Sequence, residues 1–273
     1  MASLTLVQHL LAVLSGAVVG FSLGLLGGGG SILAVPLLLY VVGVHAPHVV
    51  IGTTALAVAA TAFWNLIPHA RAKHVRWVPA AVFAVAGSLG AALGSTLGKR
   101  VGGQALLLLF GILMLVVAAL MARPRQPRTG GATPDGTAGG QRRGTTRSAG
   151  MGVGAGLLSG FFGIGGGFLI VPGLILATGM PMIDAVGSSL LSVGAFGLTT
   201  AFNYARSGLV AWTLAAEYLL GGVVGGIFGE RLATHLEHKK GALNLIFAAV
   251  VAVVAVYMII RSLAAMHALT HIR

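Results

Sequence analysis

The sequence predicts an all-α integral membrane protein built from two tandem repeats, and three observations carry that reading. The chain of 273 residues is 56% hydrophobic and only 8% charged, whereas the surface of a soluble domain usually requires about 25% charged residues. Its apolar residues fall into long runs separated by short polar stretches, with a mean hydropathy of +0.96. Glycine supplies 43 residues and lies within those runs without a G-X-Y period. Such glycine suits close packing of transmembrane helices. In lipid the backbone must satisfy its own hydrogen bonds, which makes these runs helices.

The first run, 4–26, lacks both a basic start and a small-residue cleavage site, so it reads as a retained helix and not a secretory signal. Runs at 31–43, 48–67, 78–98 and 104–122 complete a first membrane repeat, 1–122. The stretch 123–148 is rich in Pro, Gly, Thr and Arg. It has little apolar area to bury, which predicts a flexible polar linker on the cytoplasmic side. A second membrane repeat, 149–273, holds runs near 150–163, 167–179, 182–204, 212–232 and 242–265. A span needs about 20 residues, which 31–43, 150–163 and 167–179 do not reach, so the expected count is roughly 8–10 membrane segments.

The two halves repeat each other. Residues 24–36 read GLLGGGGSILAVP and residues 160–172 read GFFGIGGGFLIVP, an offset of 136. Gly16 and Gly20 match Gly152 and Gly156, and Gly43 matches Gly179. After a one-residue gap the offset is 135, aligning Gly52-Thr53-Thr54 with Gly187-Ser188-Ser189, Arg71 with Arg206 and Trp77 with Trp212. Gly87, Gly90 and Gly94 meet Gly222, Gly225 and Gly229. Each half holds a pair of short helices meeting at a glycine cluster, then three fuller spans. An odd number of crossings inverts the second half relative to the first, a plan common among secondary transporters. Basic residues favour cytoplasmic loops. With the central linker cytoplasmic, that rule places Arg71, Lys73, Arg76 and the linker arginines inside, joined by Arg231, Lys239 and Lys240 if the second half is inverted. A parallel second half gives the same charge count, so inversion rests on the segment count alone.

The glycine clusters Gly27–Gly30 and Gly163–Gly167 are the first candidate site. Consecutive glycines cost about 1 kcal/mol each in a helix relative to alanine. The helix should break there and restart at Ser31, a good N-cap, and near Gly167. A helix start presents unpaired N–H groups and partial positive charge. Two such starts brought together would cradle an anion near the midplane. The expected lining is Gly28, Gly29, Gly30, Ser31, Gly165, Gly166, Gly167 and Phe168. Hydroxyls and amides of the following span are further candidates: Thr53, Thr54 and Asn65, with Ser188, Ser189 and Asn203 in the second half. Arg71 and Arg206 follow the asparagines and would attract an anion. The upstream glycines at four-residue spacing read as helix packing.

Only five acids exist, Asp135, Asp184, Glu217, Glu230 and Glu237. Glu217 falls within an expected span, where a carboxylate usually has a role. It and Asp184 are the candidates for proton coupling, with an interfacial position and helix capping as the alternatives. No buried carboxylate cluster suits sodium or calcium. Cysteine is absent, which excludes disulfides, thiol catalysis and thiolate metal sites. His45 with His48, and His267 with His271, lack the further ligands of a metal site. The net charge of +12 sits in short stretches between apolar runs, without interleaved aromatics, and so does not indicate nucleic acid. Neither glycine cluster has the lysine of a phosphate-binding loop. Ser159 has no partnered general base, so an intramembrane hydrolase is not favoured. The expected protein is not an enzyme and uses no cofactor.

These motifs together resemble the TauE/SafE sulfite exporter family of membrane permeases. The resemblance rests on the paired glycine stretches, on GTTAL and GSSLLS after them, and on TAFWN and TTAFN with their following arginine and tryptophan. It implies transport of small sulfur-containing anions such as sulfite, sulfoacetate or other organosulfonates, and a multi-pass location in the bacterial inner membrane. The partners implied are the anionic substrate and membrane lipid, and a homodimer is compatible with it. An anion channel, and a non-transporting membrane enzyme or assembly factor, are the rival readings.

Overall fold

A computed structural model describes residues 5–122, 138–165, 167–235 and 240–270. The described residues are almost entirely helical, and seven of the helices are long and apolar enough to cross a membrane. Helix α1 spans Leu6–Leu26 and runs into a 3-10 turn, Gly27–Leu33. A short α2, Ala34–Pro36, and a π turn, Leu37–Val41, carry the chain back along it. Then come α3 (Pro47–Arg71), α4 (Trp77–Gly98) and α5 (Gly103–Ala122). The second half consists of α6 (Ala138–Phe162), α7 (Gly167–Thr178), α8 (Met182–Ala205), α9 (Trp212–His235) and α10 (Lys240–Thr270).

Helices α3 and α8 form the centre. Each buries 72% of its most apolar window, against 28–44% for the other spans. They run antiparallel: Gly52 lies against Tyr204, Gly197 against Ala59, and Gly187 against His69. Around them α1 packs on α9, α4 on α6 and α5 on α10. The glycine spacing explains the first two pairs. A Cβ on Gly16, Gly20 or Gly24 would run into the α9 backbone at Tyr218, Gly222 or Gly226. Gly152, Gly156 and Gly160 meet Phe83, Gly87 and Ala91 of α4 in the same way. The outer faces carry exposed Leu, Val and Ile, as lipid-facing surfaces require.

Backbone geometry matches at positions related by the 136- and 135-residue offsets. Gly43 and Gly179, which end the two short returning helices, have φ of 81° and 69°. Lys73 and Gly208, which end α3 and α8, have φ of 62° and 69°. The His74 N–H donates to the His69 carbonyl at 3.0 Å, and that of Leu209 to the Tyr204 carbonyl at 3.0 Å. Gly179 lies 136 beyond its counterpart, ahead of the one-residue gap, and the others lie 135 beyond theirs.

Two expectations are corrected. Of the polar stretch 123–148, residues 123–137 lie outside the described residues, and the remainder from Ala138 onward is helical. Extending an existing helix adds one hydrogen bond per residue fixed, which Ala, Gln and Arg tolerate well. In the first repeat the chain does not open at the glycines and restart at Ser31. It tightens through Gly27–Leu33, and Leu33 precedes the next α turn without a side-chain cap. Ser31 is fully buried inside the tight turn. The missing Cβ permits this, because one on Gly30 would collide with the α1 backbone at Ser22. In the second repeat the expected break is present. Gly163 and Gly165 take φ of 69° and 68°, and the Gly163 and Ile164 N–H groups both donate to the Ser159 carbonyl, at 2.8 and 3.3 Å. Such a left-handed glycine cap ends a helix with its carbonyls satisfied.

Candidate functional site

The glycine turn of the second repeat lies at half depth in the protein. A Cβ on Gly165 would sit 3.1 Å from Val58 and 3.0 Å from Val193, which lie near the middle of α3 and α8. Val58 and Val193 are themselves 135 residues apart, so Gly165 occupies the level at which the two halves exchange. Gly167 opens α7 immediately afterwards and is buried. The first N–H groups of α7 therefore emerge near the centre, where a helix start offers unpaired donors and partial positive charge. The 3-10 turn containing Gly28, Gly29, Gly30 and Ser31 packs against α7 and α8. The first glycine segment thus belongs to a turn that packs on the helix opened by the second. Gly166 and the side chain of Phe168 lie outside the described residues.

The hydroxyls of the central pair are largely engaged. Thr54 donates to the Val50 carbonyl at 2.8 Å, and Ser189 to that of Val186 at 2.7 Å. Thr53 accepts the Ala211 N–H and Ser188 accepts the Arg76 N–H, each at 2.9 Å. All four side chains are fully buried. Thr53 and Ser188 therefore brace the opposite half of the molecule, a role that a single helical pattern cannot reveal.

The remaining candidates divide between the two ends of the α3–α8 pair. At the linker end, Arg71 is exposed at the close of α3. Arg76 bonds Asp184 there, Nε to Oδ2 at 2.7 Å. At the far end, Arg206 is exposed and stands 5.9 Å over the Phe202 ring. The two arginines are not brought together, because α3 and α8 run in opposite directions. Asn203 also lies at the far end, within a polar knot. It accepts from Lys99 Nζ at 2.8 Å and donates to Ser95 and Thr96 at 2.6 and 2.9 Å. Glu217 Oε1 contacts His9 Nδ1 at 2.6 Å, tying α9 to α1.

Asn65 and Asn203 are not equivalent positions, although TAFWN and TTAFN suggest it. The 135 offset pairs Asn65 with Thr200 and Thr61 with Phe196. The contacts agree: Thr61 faces Gly222 of α9, and Phe196 faces Gly87 of α4. Asn65 faces Gly226 one turn further along. Both Asn65 and Thr200 are buried and keep a polar atom without a hydrogen-bond partner, as do His69 and Tyr204. Sequence reasoning passed over His69, Thr200 and Tyr204. The 135-residue offset carries Asn65 to Thr200 and His69 to Tyr204. Among the described residues no group of three metal-ligating side chains forms. His271 and the side chain of His267 lie outside those residues.

Comparison with known proteins places this architecture among relatives. A family model described as Sulfite exporter TauE/SafE matches residues 12–258. A "Probable membrane transporter protein" of Xylella fastidiosa strain Temecula1 is 53% identical, over 96% of this chain and 99% of its own. The probable membrane transporter protein YunE of Bacillus subtilis is 25% identical, over 85% of this chain and 91% of its own. The probable membrane transporter protein MamO of Magnetospirillum gryphiswaldense is 35% identical, over 52% of this chain and 22% of its own. No solved structure matches the chain.

Proposed function

This chain belongs to the TauE/SafE sulfite exporter family, a multi-pass membrane transporter on that premise, and we propose that it carries small sulfur-containing anions across the bacterial inner membrane. Sulfite, sulfoacetate and other organosulfonates are the substrate class. The observation that carries the reading is the glycine turn at half depth, with Gly165 between Val58 and Val193 and α7 starting beside it. Helix-start N–H groups there would hold an anion without a buried cation. Asp184 and Glu217 are each engaged by a basic side chain, which supports an anionic cargo.

Alternating access is the proposed mechanism. Equivalent helices α3 and α8 run antiparallel through matched contacts, as expected of two inverted repeats around an axis in the membrane plane. Rocking one half against the other would open the central level to either face in turn.

The test is sulfite and sulfoacetate flux into proteoliposomes containing the purified protein. Saturable uptake above that of empty liposomes is expected. Flux that rises linearly without saturation would mark a channel, and no flux of any sulfur anion would remove the proposal.

A further inference from the structure

We propose that the α3–α8 pair carries two symmetry-related oxyanion stations, Asn65 with His69 toward the linker end and Thr200 with Tyr204 toward the far end. The inference rests on the anion-permease reading and adds binding residues to it. All four side chains are buried, with exposures of 3%, 7%, 0% and 0% in that order. Each keeps a polar atom without a hydrogen-bond partner: Asn65 Nδ2, His69 Nε2, Thr200 Oγ1 and the Tyr204 hydroxyl. Buried polar groups are almost always paired, so such a group calls for a specific partner. Among the eleven buried side-chain atoms without a partner in the described residues, these four form two pairs, each spaced by one helical turn and one pair 135 residues from the other. Residues four apart share a helix face. Isolated packing faults would not be expected to recur at equivalent positions of both halves.

The chemistry of the four groups favours an oxyanion. An amide, an imidazole and two hydroxyls can all donate hydrogen bonds, and none is a carboxylate. The surroundings agree at both ends. Near Tyr204 lie Lys99 Nζ, 5.8 Å from the ring centre, and the His48 ring at 6.4 Å. His48 Nδ1 is likewise without a partner. Near His69 lies the His74 ring at 6.2 Å. The acid at that end, Asp184, is bonded to Arg76. Between the stations the pair narrows to small and apolar residues, with Gly197 against Ala59 and Gly165 against Val58 and Val193. With His69 level with Gly187 and Tyr204 level with Gly52, the stations lie about 13 Å apart at their inner residues and about 25 Å at their outer ones. An anion would stop at one station, pass the glycine turn and stop at the other.

The experiment is sulfite flux measured separately from each face, in vesicles of known orientation carrying full-length protein. Thr200→Val and Tyr204→Phe preserve shape and remove only a hydroxyl, and Asn65→Leu and His69→Phe serve at the other end. The far-end variants are expected to raise KM from the far face by about fivefold or more, the effect of one lost hydrogen bond, and to leave KM from the linker face within about twofold. The linker-end variants should show the reverse. Thermal unfolding run alongside should leave Thr200→Val and Tyr204→Phe as stable as the parent or more so. Unchanged KM from both faces, or equal shifts from both, would overturn the stations while leaving the permease intact. Parent vesicles that move no sulfur anion would overturn the permease reading and the stations with it.

Discussion

Thr53 takes the backbone N–H of Ala211 at 2.9 Å, holding the residue that precedes α9 from within α3 of the other half. The same arrangement appears 135 residues away, where Ser188 of α8 takes the Arg76 N–H in front of α4 at 2.9 Å. The start of α4 has no local side-chain cap of its own. Each half therefore supplies the other with a hydrogen-bond acceptor. The two halves are clasped reciprocally, one clasp at each end of the central pair.

Loss of either clasp should reduce stability. Thr53→Val and Ser188→Ala each remove a part-buried hydrogen bond to a backbone N–H, and each is expected to lower stability by about 1 kcal/mol. The double variant should be close to the sum, because the sites are far apart and share no partner. Thermal unfolding in detergent measures this. Unaltered melting in both single variants would return these hydroxyls to the list of anion ligands.

Lys73 adopts φ of 62° where its counterpart Gly208 has 69°. A left-handed backbone costs a residue with a Cβ about 1 kcal/mol more than glycine. Lys73→Gly is therefore expected to stabilise the protein by about that amount. Gly208→Ala should destabilise it similarly, even though a Cβ there would meet nothing within 4 Å. If Gly208→Ala melted with the parent, backbone conformation would not be limiting at this turn.

Sequence made the spans legible because apolar runs in lipid leave helix as the available structure for an exposed backbone. The expected run 78–98 became α4, Trp77–Gly98, and 182–204 became α8, Met182–Ala205. Close helix crossings were legible through spaced glycines, whose missing Cβ permits backbone contact. Site assignment was harder, since a buried hydroxyl looks the same whether it serves a backbone or a ligand. Thr53 and Ser188 proved to serve backbones. Asn65 was singled out from its span, but Thr200 was hidden by the nearby Asn203, whose amide belongs to the Lys99 knot. Matching residue identity pairs Asn65 with Asn203, whereas matching position pairs it with Thr200.

Glycines of α6 offer an internal comparison. Gly156 faces the Gly87 carbonyl of α4 so closely that a methyl group must separate the helices, whereas Gly154 faces open space. Gly156→Ala is expected to cost about 3 kcal/mol through overpacking. Gly154→Ala should be neutral, or stabilising by up to about 1 kcal/mol through helix propensity. Melting temperatures of the two variants decide it, and equal effects would show that α4 and α6 do not rely on close approach.

The His9–Glu217 pair tests whether this carboxylate couples protons or anchors helices. His9 stands in the first turn of α1 and Glu217 in the second turn of α9. Their side chains are 35% and 18% exposed, which places the pair near a boundary and not at the central level of Gly165. Anchoring is therefore the expected role. Glu217→Gln should lower stability by about 1 kcal/mol, discounted for exposure. It should leave the pH dependence of sulfite flux in place. His9→Gln should behave alike, because it removes the other side of the same contact. A pH profile flattened by Glu217→Gln, with melting unchanged, would instead make Glu217 the coupling group. The two roles give opposite patterns in the two measurements, since an anchor acts on the folded ensemble whereas a coupling carboxylate must change protonation in each cycle.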